Sequence, residues 1–148
     1  GLGFDVGYLR YQYLNNTFKN NPAYTNANTD EVYAAATYGV ATLKYSYALS
    51  DLFGNINSKG STYWDLSATF DLGNGYSLVP HAGRQEVKNN ANSYTDIALT
   101  LNKDLGDGWS ASISAISTNG KGKVPFASAL TNYDTAKNAT VVGVKYSF

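Results

Sequence analysis

The chain has 148 residues, enough for one domain with its own core or for a small closed barrel. Its 11 Lys and Arg residues balance its 11 Asp and Glu residues, so its charge gives no argument for a nucleic-acid or polyanion partner. The absence of cysteine excludes disulfides and thiolate metal sites, and no run approaches the ~20 apolar residues of a transmembrane helix. The chain does not begin with Met and carries no signal segment, so we expect that its start was removed during processing.

Period-two alternation recurs along the chain, helical spacing is nearly absent, and the 13 Tyr and 14 Gly residues favour strands and turns. We predict eight strands, at 3–14, 30–39, 40–50, 61–73, 75–87, 94–104, 108–118 and 139–148. In the fourth strand, Trp64, Leu66 and Phe70 share one face. Asp65 and Ser67 share the other, so the strand has one apolar and one polar face.

Two strands are less regular. The first has large rings on both faces, and we assign Tyr13 to its apolar face and Arg10 to its polar face. In the fifth, Pro80 cannot donate a backbone hydrogen bond to a neighbouring strand. We therefore expect a bulge or a local break at this point, with Gly83 relieving the bend.

Short and long connections alternate along the chain. The short ones centre on Gly39, on the sequence GNG at 73–75 and on GDG at 106–108, which favour the positive φ of tight hairpin turns. The long ones are polar and cover 15–29, 51–60, 86–93 and 119–138. Such alternation is typical of outer-membrane barrels, with short turns and both termini at the periplasmic rim and long extracellular loops. We expect these loops to be solvated and mobile, and the apolar stretch 124–130 to cover the barrel mouth or meet a partner.

Aromatic residues on the predicted apolar face concentrate near the ends of the strands. Those near the short turns are Tyr38, Phe70, Tyr76, Trp109, Tyr146 and Phe148. Those near the long connections are Tyr13, Tyr47 and Trp64. Two aromatic belts separated by aliphatic residues are typical of lipid interfaces, so we predict that this face contacts lipid. A soluble ligand-binding barrel would invert the faces and leave the charges outside among the aromatic residues.

The charged residues assigned to the polar face form a mixed-sign set that we predict to line the lumen. Its members are Arg10, Lys44, Asp65, His81, Asp96 and Lys145. In an eight-stranded barrel they would fill the interior as paired charges, whereas in a larger barrel they would line a channel and set a weak ion preference. Closure between the first and last strands would place Arg10 near Lys145, with Glu31 or Asp5 as the compensating carboxylate.

His81 is the only histidine, and a catalytic role is the alternative to a structural one. Asp65 is expected beside it on the neighbouring strand, with Ser67 and Ser112 as possible nucleophiles. The sequence has no Gly-x-Ser-x-Gly elbow, and serines occur throughout the polar faces. We therefore favour a histidine within an interior polar network.

Several stretches are similar to the Gcw_chp family of proteobacterial envelope proteins. They include KYSYALSDLFG, YWDLSATFDLGNGYSL, HAGRQ and YTDIALTLNKDL, and the resemblance runs from Asn28 to Trp109. It implies an outer-membrane barrel of undetermined function and supplies no catalytic residue or substrate. The ending VGVKYSF resembles the C-terminal signal of outer-membrane proteins, which implies that the barrel-assembly machinery reads Tyr146 and Phe148. Family members usually carry further strands before the part that matches GFDVGYLRYQYL, so this chain is either a short version or the C-terminal part of a larger barrel.

Together these features predict a single all-β domain over 1–148, an up-and-down antiparallel transmembrane barrel with eight strands in this chain. If upstream strands exist, the barrel would have ten or twelve. The predicted function is a non-enzymatic outer-membrane protein, either a structural or adhesive barrel or a narrow channel for small polar solutes or ions. The lipid bilayer is its predicted partner, and we expect no cofactor and no nucleic acid. The alternatives are a membrane enzyme that uses His81 for acyl transfer or hydrolysis, and a soluble ligand-binding barrel.

Overall fold

The computed structural model describes residues 1–91, 93–120 and 136–148. The predicted connection at 119–138 therefore lies mostly outside the described residues, as does all of its apolar stretch 124–130. The strands are β1 (Leu2–Tyr11), β2 (Thr29–Tyr38), β3 (Ala41–Ala48), β4 (Thr62–Ala68), β5 (Phe70–Gly73), β6 (Tyr76–Glu86), β7 (Tyr94–Gly106), β8 (Trp109–Thr118) and β9 (Ala139–Tyr146). A short 3₁₀ helix, Phe18–Asn20, follows β1. The described part of the chain contains no helix that is long and apolar enough to cross a membrane.

The strands form one antiparallel sheet in the order β1-β2-β3-β4-β6-β7-β8-β9, with β5 paired to β6. The all-β prediction is thus confirmed, and each predicted strand is present within a few residues of its expected bounds. Among the described residues β1 and β9 do not pair with each other, so the sheet is open.

The short hairpin turns have the predicted backbone conformation. Gly39 follows β2 with a φ of 58°. Asn74 and Gly75 connect β5 to β6 with φ values of 51° and 74°. Asp107 and Gly108 connect β7 to β8 with values of 50° and 81°. Positive φ at two successive residues is the geometry of a type I′ turn, whose twist matches that of the flanking strands.

The predicted fourth strand is divided at Thr69, opposite Pro80. The break that we expected in the strand of Pro80 therefore lies in its partner, while β6 itself continues through Pro80. Ser67 of β4 pairs with His81, and pairing resumes between Phe70 of β5 and Leu78. Pro80, which lies between these pairs on β6, has no N–H to donate to the ladder. The N–H of Thr69 donates on the other side, away from β6, to the carbonyl of Val40 just before β3, 2.8 Å away.

The register places apolar and polar side chains on opposite faces of the sheet. The aliphatic and aromatic members of the apolar face include Leu2, Phe4, Val6, Val32, Leu43, Leu66, Ile97, Leu99, Ile113, Val142 and Val144. All are exposed, from 38% for Val32 to 76% for Phe4. The described chain buries only four apolar residues, which lie at the ends of strands or in connections: Ala27, Ala48, Leu52 and Val87.

The first strand has the opposite orientation to the one predicted. Phe4 and Val6 face the same side as Ala36 and Ala34 of β2, so Arg10 lies on the apolar face rather than the polar one. Tyr11 takes the polar face, and Tyr13 lies beyond the strand, where both rings pack edge-on against Phe53. This orientation follows from the register of β1 with β2, whereas the two tyrosines at the C-terminal end of the strand favoured the other face.

The polar face is the concave side of the sheet. Its side chains shield one another from solvent: those of Asp65, His81 and Asp96, on three neighbouring strands, are 29%, 20% and 16% exposed. The side chains named above for the apolar face are 38–76% exposed. Side chains crowd together on a concave face and spread apart on a convex one, so the sheet curls with its polar side chains toward one another and its apolar side chains outward.

Three of the long connections, at one end of the strands, pack against one another into a unit that the sequence did not predict. We call this unit the loop cap; it comprises residues 12–28, 49–61 and 87–91. The N–H of Thr25 donates to the carbonyl of Gly54, and the side-chain amide of Asn89 donates to the backbone carbonyl of Asn57, each at 2.9 Å. The four buried apolar residues of the described chain all lie in or directly beside this cap.

Ser58 holds the middle connection of the loop cap together, and its replacement by alanine is expected to destabilise the protein. Its fully buried hydroxyl accepts from the N–H of Leu52 at 2.7 Å and donates to the carbonyl of Asn55 at 2.6 Å. Loss of both bonds leaves buried backbone groups unsatisfied, which costs about 1–3 kcal/mol. Urea denaturation should show a lower midpoint for Ser58→Ala, while the strand variant Ser67→Ala should unfold close to wild type. Equal midpoints for the two variants would contradict the assignment.

Candidate functional site

Four polar side chains meet on the concave face, where β4, β6 and β7 lie side by side. His81 Nε2 is 3.3 Å from Asp65 Oδ2, and His81 Nδ1 is 3.5 Å from Asp96 Oδ1. The Tyr63 hydroxyl donates to Asp96 at 3.1 Å and lies 3.4 Å from His81 Nε2. We call these residues the Tyr63–Asp65–His81–Asp96 cluster. The sequence predicted the contact between Asp65 and His81, and the structure shows it.

Gly83 makes room for the cluster. It lies in register between Asp65 on β4 and Asp96 on β7, and a Cβ atom there would clash with the Tyr63 hydroxyl and approach Asp96 to 2.8 Å. The ladder runs past Gly83 without a shift, so it does not relieve the bend at Pro80 as predicted. Its function is steric, because the tyrosine ring occupies the space above a residue that has no side chain.

The cluster is half-buried and acidic. The side chains of Asp65, His81 and Asp96 are 29%, 20% and 16% exposed. A doubly protonated imidazole donates to both carboxylates, whereas a neutral imidazole donates to only one. In either state the cluster presents carboxylate oxygens to the concave side.

The geometry around His81 differs from a Ser-His-Asp relay. Such a relay needs one imidazole nitrogen on a serine hydroxyl and the other on a carboxylate. Here both nitrogens face carboxylates, and no serine hydroxyl of the described chain is hydrogen-bonded to His81. Ser67 is its register partner on β4, without a hydrogen bond between them. The described residues also contain no group of three or more His, Asp or Glu side chains placed to hold a metal ion.

The other residues predicted to line a lumen are distributed differently. Lys44 lies on the polar face opposite Asp65, and its Nζ sits 4.1 Å above the ring of Tyr33. Lys145 lies on the same face but near the short-turn rim, opposite Ser110. Arg10 lies on the apolar face, where its guanidinium donates to both carboxylate oxygens of Asp30 at 2.8 and 3.0 Å. Asp30 therefore compensates Arg10, which corrects the prediction that Glu31 or Asp5 does so.

Because Arg10 lies on the apolar face, the polar face of the described strands is acidic. Its carboxylates are Asp5, Glu31, Asp65, Asp71, Asp96 and Asp104, and its ammonium groups are Lys44 and Lys145. Asp71 and Asp104 lie at the short-turn rim. The excess of carboxylates favours cations over anions along this face.

The predicted interface aromatics lie mostly on the apolar face. Tyr38, Tyr47, Trp64, Phe70, Tyr76, Trp109 and Tyr146 are on this face by register. Trp109 packs on Tyr146 with ring centroids 4.8 Å apart, and Trp64 packs on Tyr45 at 4.6 Å. Phe148 follows β9 and is fully exposed. Tyr13 is the exception, because it packs into the loop cap.

One member of the Tyr63–Asp65–His81–Asp96 cluster was missed from the sequence. Tyr63 shares the polar set of its strand with Asp65, so the alternation contained a signal for it.

A family model described as a bacterial protein of unknown function (Gcw_chp) matches residues 1–148. The match extends to both sides of the stretch that carried the resemblance, and its description names no location and no activity. No significant match was found among curated proteins or among solved structures.

Proposed function

Because this chain belongs to the Gcw_chp family of bacterial proteins of unknown function, we propose its function from its own structure. The chain forms the wall of a transmembrane β-barrel in the bacterial outer membrane, and its role is not enzymatic. Its apolar face contacts lipid, and its polar face lines the interior.

The observation that carries this proposal is the exposed apolar face. Phe4 is 76% exposed, Val142 74% and Leu66 52%, while the described chain buries only four apolar residues. Soluble monomers rarely expose apolar patches larger than a few hundred Å². A bilayer supplies the apolar surroundings that this face needs, and aromatic belts at both ends of the face suit the two lipid interfaces.

The curvature of the sheet distinguishes this proposal from a soluble ligand-binding barrel. A soluble barrel would enclose the apolar face around its ligand and present the polar face to water. The greater exposure of the apolar side chains, 38–76% against 16–29% for Asp65, His81 and Asp96, supports the opposite curvature.

A membrane barrel also requires partners for the edges of β1 and β9. Unpaired backbone N–H and C=O groups are not tolerated in the hydrocarbon region, so both edges must be covered. They can pair with each other or with strands beyond this sequence. The short turns lie at one rim, which we assign to the periplasm, and the loop cap lies at the extracellular rim.

Reconstitution tests the proposal. Protein purified in detergent and mixed with lipid should float with vesicles and stay with them after washing at high pH. Protein that remains monomeric in buffer without detergent would contradict a membrane location.

A narrow cation-preferring channel is a second, more specific candidate, favoured by the acidic polar face. A structural or adhesive barrel needs no conduction, so planar bilayers separate the two. Under a KCl gradient, the channel hypothesis predicts a reversal potential whose sign shows a preference for K⁺ over Cl⁻.

Neutralising the cluster should reduce this selectivity. Asp65→Asn together with Asp96→Asn removes two carboxylates from the interior, so the reversal potential should move toward zero. Lys44→Gln removes a positive charge from the same face and should move the reversal potential away from zero, toward stronger K⁺ selectivity. A steady current whose selectivity ignores all three substitutions would contradict an ion path along this face.

A further inference from the structure

A second polar site lies on the outer face of the sheet, where β6 enters the loop cap. Arg84 is in register with Trp64 on β4, and its guanidinium donates to the hydroxyl of Thr95 at 3.3 Å. Lys88 follows β6, and its Nζ lies 3.5 Å from the position of a Cβ on Gly60. The two basic residues line an open cradle of about 460 Å³. Its wall also carries the hydroxyl groups of Tyr47, Thr62 and Ser93.

The charge of this cradle differs from that of the other basic site on the same face. Arg10 is neutralised by Asp30, with which it forms a two-point contact. No ion pair of the described residues includes Arg84 or Lys88. Glu86 lies between them on the same face and also lines the cradle. Two positive groups against one carboxylate leave the cradle with a net positive charge.

We propose that this cradle binds the phosphate group of a membrane lipid. The inference rests on the proposed function, because only a membrane barrel presents this face to lipid. Trp64 marks the level of the lipid interface, and Arg84 and Lys88 extend from that level toward the loop cap, where lipid phosphates lie. The planar guanidinium can contact two phosphate oxygens, while the ammonium group and the hydroxyls supply further donors.

Trp64 provides the readout. In the Trp109→Phe background it is the only tryptophan, and it lies beside Arg84. Titration of phosphatidic acid into the protein in neutral maltoside micelles should change Trp64 emission in a saturable way. Phosphatidylcholine and inorganic phosphate, titrated separately, should give much weaker responses.

Substitutions of the basic residues and of the acidic residue of the cradle should change phosphatidic acid binding in opposite directions. Arg84→Gln and Lys88→Gln should each weaken phosphatidic acid binding about fivefold, the amount typical of one basic residue at an anionic surface. Arg84→Lys should restore part of the loss, and Glu86→Gln should strengthen binding. Lys59→Gln is the matched control, because Lys59 is an exposed cation of the loop cap outside the cradle.

Equal affinity of wild type and the Arg84→Gln, Lys88→Gln double variant would overturn the proposal. Saturation of the same signal by inorganic phosphate would overturn the choice of lipid and indicate a site for free anions. Neither outcome bears on membrane insertion, which vesicle flotation measures independently.

Discussion

Arginine in place of Leu99 is expected to impair insertion of this protein into bilayers. Leu99 lies midway along β7 on the apolar face, in register with Pro80 and Ala115, and is 48% exposed. A cationic side chain at the bilayer midplane costs a transmembrane barrel about 2–4 kcal/mol. A second arginine at Ile113, on the same face of β8, should prevent insertion, as measured by the fraction of protein that floats with vesicles.

The neighbouring residue supplies the control for this experiment. Thr100 lies at the same depth on the polar face, where its hydroxyl bonds that of Ser114 at 2.7 Å. Arginine at Thr100 loses this bond but points toward an acidic interior, so Thr100→Arg should still float with vesicles. Equal flotation of Leu99→Arg and Thr100→Arg would show that lipid does not contact the apolar face.

Gly83→Ala is the single substitution expected to destabilise the strands most. The new Cβ would displace the Tyr63 ring, which then loses its hydrogen bonds to Asp96. Steric strain together with the lost bonds to a charged group should lower stability by roughly 2–4 kcal/mol, measured by urea denaturation in vesicles or detergent.

A control and a rescue variant isolate the cause. Gly3→Ala adds the same methyl group to β1, where the nearest atom is 4.0 Å away, and should unfold close to wild type. Tyr63→Leu shortens the side chain that fills the space above Gly83, so adding it to Gly83→Ala should recover part of the loss. If the double variant loses as much stability as the two single variants together, contact with Tyr63 is not the cause of the destabilisation by Gly83→Ala.

Local chemistry explains why so much of the sheet could be predicted from the sequence. Asn74 and Asp107 precede glycines that tolerate positive φ, so both hairpins were evident without any tertiary information. The break opposite Pro80 followed from a missing backbone donor. Alternation was sufficient in β4, β7 and β8, because large and small residues there differ clearly between the two faces.

Prediction failed where the deciding contact lies far away in the chain. The orientation of β1 depends on its register with β2, and its own C-terminal tyrosines favoured the wrong face. The loop cap joins three connections through bonds such as that between Asn90 and Asn55, which no local pattern in a polar, Asn-rich loop reveals. Alternation from Tyr76 already placed Arg84 on the apolar face, but no local pattern indicated that Arg84 and Lys88 line one cradle there.

The correction at Arg10 changes the functional interpretation as well as the fold. The predicted lumen set, with Arg10, Lys44 and Lys145 against Asp65 and Asp96, had no excess of carboxylates and suited a filled lumen. In the structure Arg10 lies on the apolar face, and six carboxylates against two ammonium groups lie on the concave side, which favours cations. The proposed assembly signal at Tyr146 and Phe148 is unaffected, since both rings are exposed at the end of β9.

The most direct test of the membrane account is a cysteine scan along β7. The chain contains no cysteine, so a fluorophore can be placed at one position at a time from Ile97 to Asn102 in vesicle-reconstituted protein. A lipid-borne quencher should act strongly at Ile97, Leu99 and Leu101. It should act weakly at Ala98, Thr100 and Asn102, which should respond instead to a small water-soluble quencher. Equal quenching along all six positions, or the opposite alternation, would contradict a lipid-facing apolar surface.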